Sequence, residues 1–325
     1  MGDGVTSFVA RRLLQTVPLV LLISLFAFLV IRIAGDPMSM YGLNPNMTAD
    51  DRARIITEHG WDRPLLVQYL YWLRDLVKGD WGHSLYTYES VTAMIRARLS
   101  NTLILMGSVF AVTLLVSIPL GIYTATHQSS RLDHLITGSA FFAYSLPTFW
   151  LGLICIMMFS VKFQQWGFPS LPAGGMYSLR DGPSTLGLLQ HLVLPCFVLS
   201  IVSVASYIRH LRASMLDVLH QDYVRTARAK GVSDREVIWK HAFKNAALPL
   251  VTLISLNIPR IFSGALITEQ VFAWPGMGRL FVDHATRADY PVLMGLVISV
   301  SVLVAIFNLL ADVAYAYLDP RIRLG

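Results

Sequence analysis

The chain has 325 residues, of which 54% are hydrophobic and only 14% charged, and its formal net charge is +6. Soluble domains carry about 25% charged residues, so this composition excludes an ordinary soluble globular protein and predicts a membrane protein. The positive charge by itself fits either nucleic acid or anionic lipid as a partner, and the positions of the charges are needed to choose between them.

The first predicted element is a membrane span at Leu13–Ile31, an uncharged run that directly follows Arg11 and Arg12. The run is longer than the apolar core of a signal peptide, which has about 7–15 residues, and no small-residue cleavage site follows it. We therefore expect an uncleaved first transmembrane helix. Together with a short preceding segment it forms a first unit over residues 1–35.

Residues 36–100 are predicted to form an external loop that contains one helix of its own. The stretch PLLVQYLYWLRDLVKG, residues 64–79, has a helical apolar period, with Pro64 suited to the first turn and Gly79 to the end. Its apolar face would hold Leu66, Tyr69, Leu70, Leu73, Leu76 and Val77. We expect this helix to lie on the bilayer or on the bundle, with three tryptophans at headgroup depth: Trp61, Trp72 and Trp81.

Five further apolar stretches approach or exceed the length of about 20 residues that a helix needs to cross a bilayer. They are Thr102–Thr126, Leu135–Val161, Leu192–Ile208, Ala246–Ala273 and Pro291–Ala311. Each is predicted to be a helix, because lipid offers no partner for backbone N–H and C=O groups. With the first span they predict an all-α membrane protein, a bundle of six transmembrane helices, of which five lie in residues 101–325.

Cys155 and Cys196 both lie in these apolar runs. The chain contains no CxxC or HExxH pattern. We therefore expect two reduced thiols that face the core or the lipid, and no metal site.

The basic residues of the short connections are concentrated on one predicted side of the membrane. That side holds eight Lys or Arg residues within 209–245, together with Arg11, Arg12, Arg131, Arg321 and Arg323. The short loops of the other side hold only Lys162, Arg180, Arg279 and Arg287. The positive-inside rule therefore predicts that both termini and residues 209–245 are cytoplasmic. The basic residues on the predicted cytoplasmic side account for the positive net charge, so nucleic acid is not needed as a partner.

Within residues 209–245 the pattern predicts a helix, a sharp turn and a second helix, all in water. The fourth span is expected to continue as helix through Val224 toward Lys230, and Gly231 suits the left-handed position that ends a helix. Ser233 and Glu236 have the spacing of a capping box, and Pro249 marks the expected start of the fifth span. The second helix would carry Val237, Ile238, Trp239, Ala242 and Phe243. This turn chemistry, without catalytic residues, is typical of a docking element.

The same segment resembles the EAA loop of the permease subunits of ABC importers. Gly231 stands at the family's glycine, RTA (Arg225–Ala227) stands where EAA would be, and Leu248-Pro249 matches the closing Leu-Pro at a longer spacing. The stretches DYVRTARAKG, SLPTFWLG, FAWPGMGRL and LDPRIR resemble the dipeptide/oligopeptide branch. This resemblance covers nearly the whole chain and is greatest to the B-type permease subunit.

The resemblance implies a bacterial cytoplasmic-membrane protein that forms half of a peptide pathway. Its implied partners are a homologous second permease, two ABC ATPases, an external peptide-binding protein and the lipid bilayer. The chain has no GxxxxGK[ST] motif, so ATP and Mg are expected on the ATPases, with no cofactor and no catalytic residue here. The residues expected to dock on an ATPase are Arg225, Thr226, Ala227, Ala229, Lys230, Gly231, Ser233 and Glu236.

Two further sets of residues are candidates for contact with the transported solute or its carrier. Arg260 and Glu269 are charged residues within the predicted spans and could line the pathway, although a structural pairing is the alternative for Arg260. Residues 162–190 are rich in Gly and Pro and are expected to lack regular structure. We hypothesise that this loop contacts the binding protein and favours peptide release, the alternative being a passive connector. The contacts would come from Phe168, Met176 and Tyr177.

Other functions are open at this point. The family that this chain resembles also includes importers of nickel chelates, glutathione and haem. An ion-coupled secondary transporter should place a relay of ionisable residues in the membrane, whereas these spans hold only Arg260 and Glu269. An intramembrane enzyme would need a paired acid or nucleophile, which His134, His191 and His210 lack in the sequence. A sensor subunit would not need the docking element.

Overall fold

The computed structural model of the chain describes residues 2–34, 48–58, 60–178, 180, 182–263 and 265–318. Within these ranges the regular secondary structure is helical, with two isolated β-bridges, at His83–Ser90 and Ser178–Gly182. The all-α fold class is therefore confirmed.

Five helices of the described residues are long and apolar enough to cross a membrane: Leu14–Ile33, Val91–Thr126, Thr148–Gln165, Thr185–Leu219 and Tyr290–Leu310. The first and the last lie within longer helices, α1 (Gly2–Ala34) and α14 (Tyr290–Leu318). The second and the fourth are α4 (Val91–Thr126) and α8 (Thr185–Leu219). Together they make the chain a multi-pass integral membrane protein.

The predicted span Leu135–Val161 is divided in the structure, so the prediction of one continuous helix there was wrong. Helix α5 (Arg131–Ser145) ends just before Leu146, which has an extended backbone, and α6 (Thr148–Cys155) starts after Pro147. The reason is local, since a residue before proline is disfavoured in the helical conformation. Beyond α6 the chain winds as a π-helix over Ile156–Lys162 and ends with α7 (Phe163–Gln165).

The predicted span Ala246–Ala273 is also divided, into α11 (Lys244–Ser263) and α12 (Leu266–Val271). Helix α12 packs closely on α13 (Met277–Ala285), where a Cβ built on Gly278 would lie 2.6 Å from Leu266 Cα. The sixth crossing therefore stays a prediction, carried by α11.

The centre of the bundle is the long contact between α4 and α8. Its buried side chains include Ile122, Tyr207, Leu211 and Met215. A Cβ on Gly121 would lie only 3.0 Å from Leu211, so the glycine allows the two helices to approach closely. Helix α4 begins inside the predicted external loop, which places the helix start earlier than the apolar run alone indicated.

The loop before α4 contains the predicted helix, α3 (Leu65–Val77), and an unpredicted one, α2 (Ala49–Glu58). Helix α3 lies on the bundle, where Tyr69 packs with Phe28 of α1 and Met294 of α14. Pro64 is the residue before the helix rather than part of its first turn. Three members of the predicted apolar face are exposed, Leu66, Leu70 and Val77, whereas Tyr69 is buried against the bundle.

Candidate functional site: a helical hairpin and a folded Gly-Pro loop

The predicted docking element forms a compact hairpin over residues 222–243, here called the helical hairpin. Helix α8 stops at Leu219, and His220 Nδ1 lies 2.6 Å from the Leu216 carbonyl oxygen at its end. The extended residue Gln221 then precedes α9 (Asp222–Ala229). The prediction that one helix runs on to Lys230 was therefore wrong, because the extended backbone of Gln221 interrupts the helical hydrogen bonds between α8 and α9.

The turn of the hairpin has the predicted chemistry. Gly231 has φ of +79°, its N–H donates to the Arg228 carbonyl at 3.0 Å, and Val232 N–H donates to the Ala227 carbonyl at 3.3 Å. Ser233 Oγ accepts a hydrogen bond from Glu236 N–H at 3.4 Å. These observations confirm the left-handed glycine and the serine cap.

The side chain of Glu236, which a capping box would place on the Ser233 N–H, has a different partner. The Glu236 carboxylate accepts from Lys240 Nζ at 3.0 Å, one turn further along the helix. This hydrogen bond, with the positive charge of Lys240, lowers the pKa of Glu236. Glu236 therefore adds charge to the exposed surface of the hairpin.

After the turn the chain forms a short α10 (Asp234–Glu236), a π-helical segment (Val237–Phe243) and then α11. Pro249 lies inside α11, so the expected boundary at this proline was wrong. A proline removes a single backbone hydrogen bond, a loss that membrane helices tolerate. The hairpin is thereby joined to α11, which carries the predicted fifth span, without an intervening loop.

The hairpin has a small core of its own, formed by Val224, Ala227 and Val237. Seven of the eight predicted docking residues are exposed, whereas Ala227 is buried in this core. The surface also presents two large aromatic side chains that prediction missed, Tyr223 with 43% and Trp239 with 48% of its area exposed. A shallow cavity of about 380 Å³ lies beside Trp239. Aromatic side chains left exposed on a water-facing hairpin are suited to docking.

The last turns of α8 around Arg212 lead into the hairpin and are here called its stem. An ion pair joins this stem to α5. Arg212 donates to both carboxylate oxygens of Asp133, at 3.2 and 3.0 Å, and Ser129 N–H donates to the same group at 3.1 Å. Burial by itself would raise the pKa of Asp133, but the hydrogen bond and charge of Arg212, together with Ser129, outweigh it and lower that pKa. Movement of the stem would therefore act directly on α5.

The second candidate region is residues 166–184, here called the Gly-Pro loop. Its described residues have no helix or named strand, which confirms the predicted irregular structure for this part, whereas the two ends of the predicted range 162–190 are helical. The loop is nevertheless anchored, since Leu171 N–H donates to the Phe159 carbonyl at 3.0 Å and Gly175 N–H to the Phe272 carbonyl at 2.8 Å. A Cβ on Gly174 would lie 2.5 Å from that same Phe272 oxygen. These anchors fix the loop to the bundle although it has no regular structure.

The three predicted contact residues of this loop lie in different environments. Met176 is only 8% exposed and packs in the bundle against Leu105 and Trp274, and Tyr177 packs against the same cluster. Phe168 is 58% exposed, with its ring 5.8 Å from that of Phe163. The expectation that Met176 projects toward an external partner was therefore wrong.

The two predicted pathway residues also differ. Glu269 is fully buried, and its carboxylate accepts from Thr102 Oγ1 at 3.0 Å and from Arg279 N–H at 3.1 Å. Thr102 Oγ1 accepts in turn from Met277 N–H at 2.8 Å, so this network fastens the turn between α12 and α13 to α4. These contacts are structural, and contact with a solute stays a prediction. Arg260 lies in α11, and its side chain is outside the described part of the structure.

A buried polar cluster escaped prediction. Asp289 accepts from Ser84 Oγ, from Leu85 N–H at 3.1 Å and lies 2.9 Å from His284 Nδ1. The aspartate stands between the serine and the histidine, so the histidine is not placed to remove the serine proton as in a hydrolase triad. The cluster joins the loop before α4 to the turn between α13 and α14.

Comparison with known proteins agrees with this architecture. Residues 117–324 match the family described as binding-protein-dependent transport system inner membrane component, and residues 5–106 match its N-terminal family. The oligopeptide transport system permease protein AppB of Bacillus subtilis (strain 168) is 41% identical over 98% of this chain and 99% of that protein.

Two further relatives are similar over the same extent. The dipeptide transport system permease protein DppB of Escherichia coli (strain K12) is 35% identical over 97% of this chain and 98% of its own. The probable peptide ABC transporter permease protein y4tP of Sinorhizobium fredii (strain NBRC 101917 / NGR234) is 35% identical over 97% of this chain and 99% of its own. With two family models spanning almost all of its helices, the chain belongs to the family of inner membrane components of binding-protein-dependent transport systems.

Proposed function

We propose that this chain is a permease subunit that forms half of the membrane pathway of an ATP-driven peptide importer. The relatives that support the substrate class are named as oligopeptide, dipeptide and peptide permeases, and they align with this chain from end to end. The peptide would be delivered by an external binding protein. A homologous second permease would complete the pathway.

The observation that carries the proposal is the helical hairpin. It has its own core of Val224, Ala227 and Val237, exposes Tyr223 and Trp239, and continues directly into α11. Because no loop separates the hairpin from α11, movement of an ATPase bound to the hairpin would be transmitted directly to that helix. The partners would be two ATPases that bind ATP and Mg, and this chain would supply no catalytic group.

The orientation proposed is that of a bacterial inner-membrane protein with both termini and the hairpin in the cytoplasm. Ser170 of the Gly-Pro loop and Ser233 of the hairpin are both exposed, and the two native cysteines are buried. A cysteine at position 170 should therefore react with an impermeant thiol reagent added to intact cells. A cysteine at position 233 should react only after the membrane is opened, and the reverse pattern would invert this topology.

The docking function is tested by Gly231→Trp. A side chain at Gly231 would meet nothing within 4 Å, so the new indole would project outward and obstruct a partner without disturbing the bundle. We expect the purified complex to lose its ATPase subunits and its peptide-stimulated ATP hydrolysis. Gln128→Trp is the matched control, since Gln128 is exposed in the turn between α4 and α5 and lies outside the hairpin. Equal recovery of ATPase subunits with both variants would exclude this role for the hairpin.

The substrate class is tested separately, in vesicles that hold the complete complex with its binding protein. Dipeptides and oligopeptides should stimulate ATP hydrolysis and enter the vesicles. Nickel chelates, glutathione and haem should do neither. Uptake of one of these compounds without uptake of peptides would overturn the substrate assignment and leave the docking assignment intact.

A further inference from the structure

A groove lies between α5 and α8, apart from the helical hairpin and the Gly-Pro loop. It encloses about 280 Å³. Most of its wall is apolar or aromatic: Ala140, Phe141, Tyr144, Ala205, Ile208, Ala213 and Leu216. Three further side chains complete the lining, Thr137, Arg209 and Arg212. An apolar slot with arginines in its lining is suited to an amphipathic, negatively charged ligand.

The two arginines of the groove differ in their partners. Arg212 is neutralised by the buried carboxylate of Asp133, at 3.0 Å. The guanidinium of Arg209 lies over the ring of Tyr144, 5.7 Å from its centroid, and no carboxylate of the described residues forms an ion pair with it. The groove therefore holds one uncompensated positive charge, kept in place by an aromatic ring.

The position of the groove shows which surroundings it meets. Helix α4 ends at Thr126 and α5 begins at Arg131, so the chain reverses direction at this end of the bundle. Beside the groove, Phe141 and Phe142 are 59% and 69% exposed on the outer surface of α5. We take these exposed phenylalanines to face lipid, and the test below distinguishes lipid from a second subunit on this face. Arg209 directly follows the predicted span Leu192–Ile208, and apolar walls with a cation at this depth match the acyl chain and phosphate of a phospholipid.

We propose that this groove binds an anionic phospholipid, with the lipid phosphate on Arg209 and part of an acyl chain between α5 and α8. A guanidinium pairs well with phosphate oxygens, and the low polarity of the surroundings strengthens this contact. Bound lipid would link α5, which holds the stem through Asp133, to α8, which leads into the helical hairpin. The site would thus join the lipid composition of the membrane to the part of the chain that carries the hairpin.

The test measures phosphatidylglycerol retained by the complete purified complex, by native mass spectrometry, with phosphatidylcholine as the uncharged reference lipid. Arg209→Gln should weaken phosphatidylglycerol binding about fivefold, the effect of one basic residue at an anionic lipid surface. Arg209→Lys should retain most of the binding. Ala140→Trp keeps the charge but fills the groove, and it should also lose the lipid.

The matched control is Arg131→Gln, which removes the same charge at the same end of the bundle from an exposed residue outside the groove. It should bind phosphatidylglycerol as the parent does. Equal retention by the parent and Arg209→Gln, or equal binding of phosphatidylcholine, would overturn the proposal. Displacement of the lipid by transported peptides would also overturn it, and so would cross-linking of Phe141→Cys to the second permease, because either shows another occupant.

Discussion

The helical hairpin and the Gly-Pro loop are both connections between membrane helices, but they acquire their structures in different ways. The hairpin is determined by neighbours in the chain, since Gly231, Ser233 and the pair Val224 and Val237 all lie within 14 residues of one another. The Gly-Pro loop is determined by distant residues. Gly175 binds the backbone of Phe272, and Met176 packs against Trp274, about a hundred positions away.

This difference teaches that a loop rich in Gly and Pro need not be a flexible one. Glycine serves in the Gly-Pro loop to allow backbone to approach backbone, at Gly174 beside Phe272, whereas Gly231 in the hairpin serves to reverse the chain. The two roles have different consequences for substitution. Each of the following variants tests whether the distinction holds.

The largest effect is expected for Gly174→Ala. A Cβ 2.5 Å from the Phe272 carbonyl oxygen forces backbone apart and breaks the adjacent anchor, at a cost of about 2–3 kcal/mol in the free energy of unfolding. Denaturant unfolding of the purified chain in detergent measures this loss. Gly138→Ala is the control, because a Cβ there meets nothing within 4 Å, and in the middle of α5 it should stabilise the chain by up to about 1 kcal/mol. Equal stability of the two variants would make the Gly-Pro loop a loose connector.

A smaller effect, of about 2 kcal/mol, is expected for Arg212→Gln at the stem of the hairpin. The substitution leaves the Asp133 carboxylate buried with only part of its hydrogen bonds, and the partial exposure of Arg212 reduces the cost below that of a fully buried pair. The melting temperature in detergent at pH 7 measures it. An unchanged melting temperature would show that the ion pair does not hold the stem.

The same ion pair predicts a dependence on pH. The pKa of Asp133 in the folded chain lies below its ordinary value of 3.8, so its contribution is complete above that pH and is lost as the pH falls through the lower folded value. The melting temperatures of the parent and of Arg212→Gln should therefore keep their difference between pH 7 and pH 5 and converge as the pH is lowered from about 4 to about 2. A constant difference over this range would assign the stabilisation to packing rather than to charge.

The smallest effect is expected for Gly231→Ala, about 1 kcal/mol, because the only penalty is the left-handed backbone and the space around the residue is open. The loss should be local, with faster hydrogen exchange of the amides over residues 222–243 and an unchanged melting temperature of the bundle. Gly231→Asn should recover much of the protection, since asparagine tolerates this conformation. Global destabilisation by Gly231→Ala would show that the hairpin and the bundle fold as one unit.

The sequence by itself determined those features of the protein that depend on composition or on residues a few positions apart. Long uncharged runs determine where helices cross the membrane, because lipid allows few other backbone structures. The turn at Gly231 and the cap at Ser233 follow from local hydrogen bonds. The break at Pro147 belongs to the same group, and its local signal was present in the sequence although the prediction passed over it.

Only the tertiary structure decided which polar and apolar side chains are available for function. Met176 and Glu269 lie in a loop and a predicted span that suggested exposure to a carrier or a solute, yet one packs in the core and the other binds Thr102. The cluster of Ser84, His284 and Asp289 joins residues about 200 positions apart. Burial and long-range hydrogen bonds depend on how helices pack against one another, and that packing leaves no periodic signal in a single sequence.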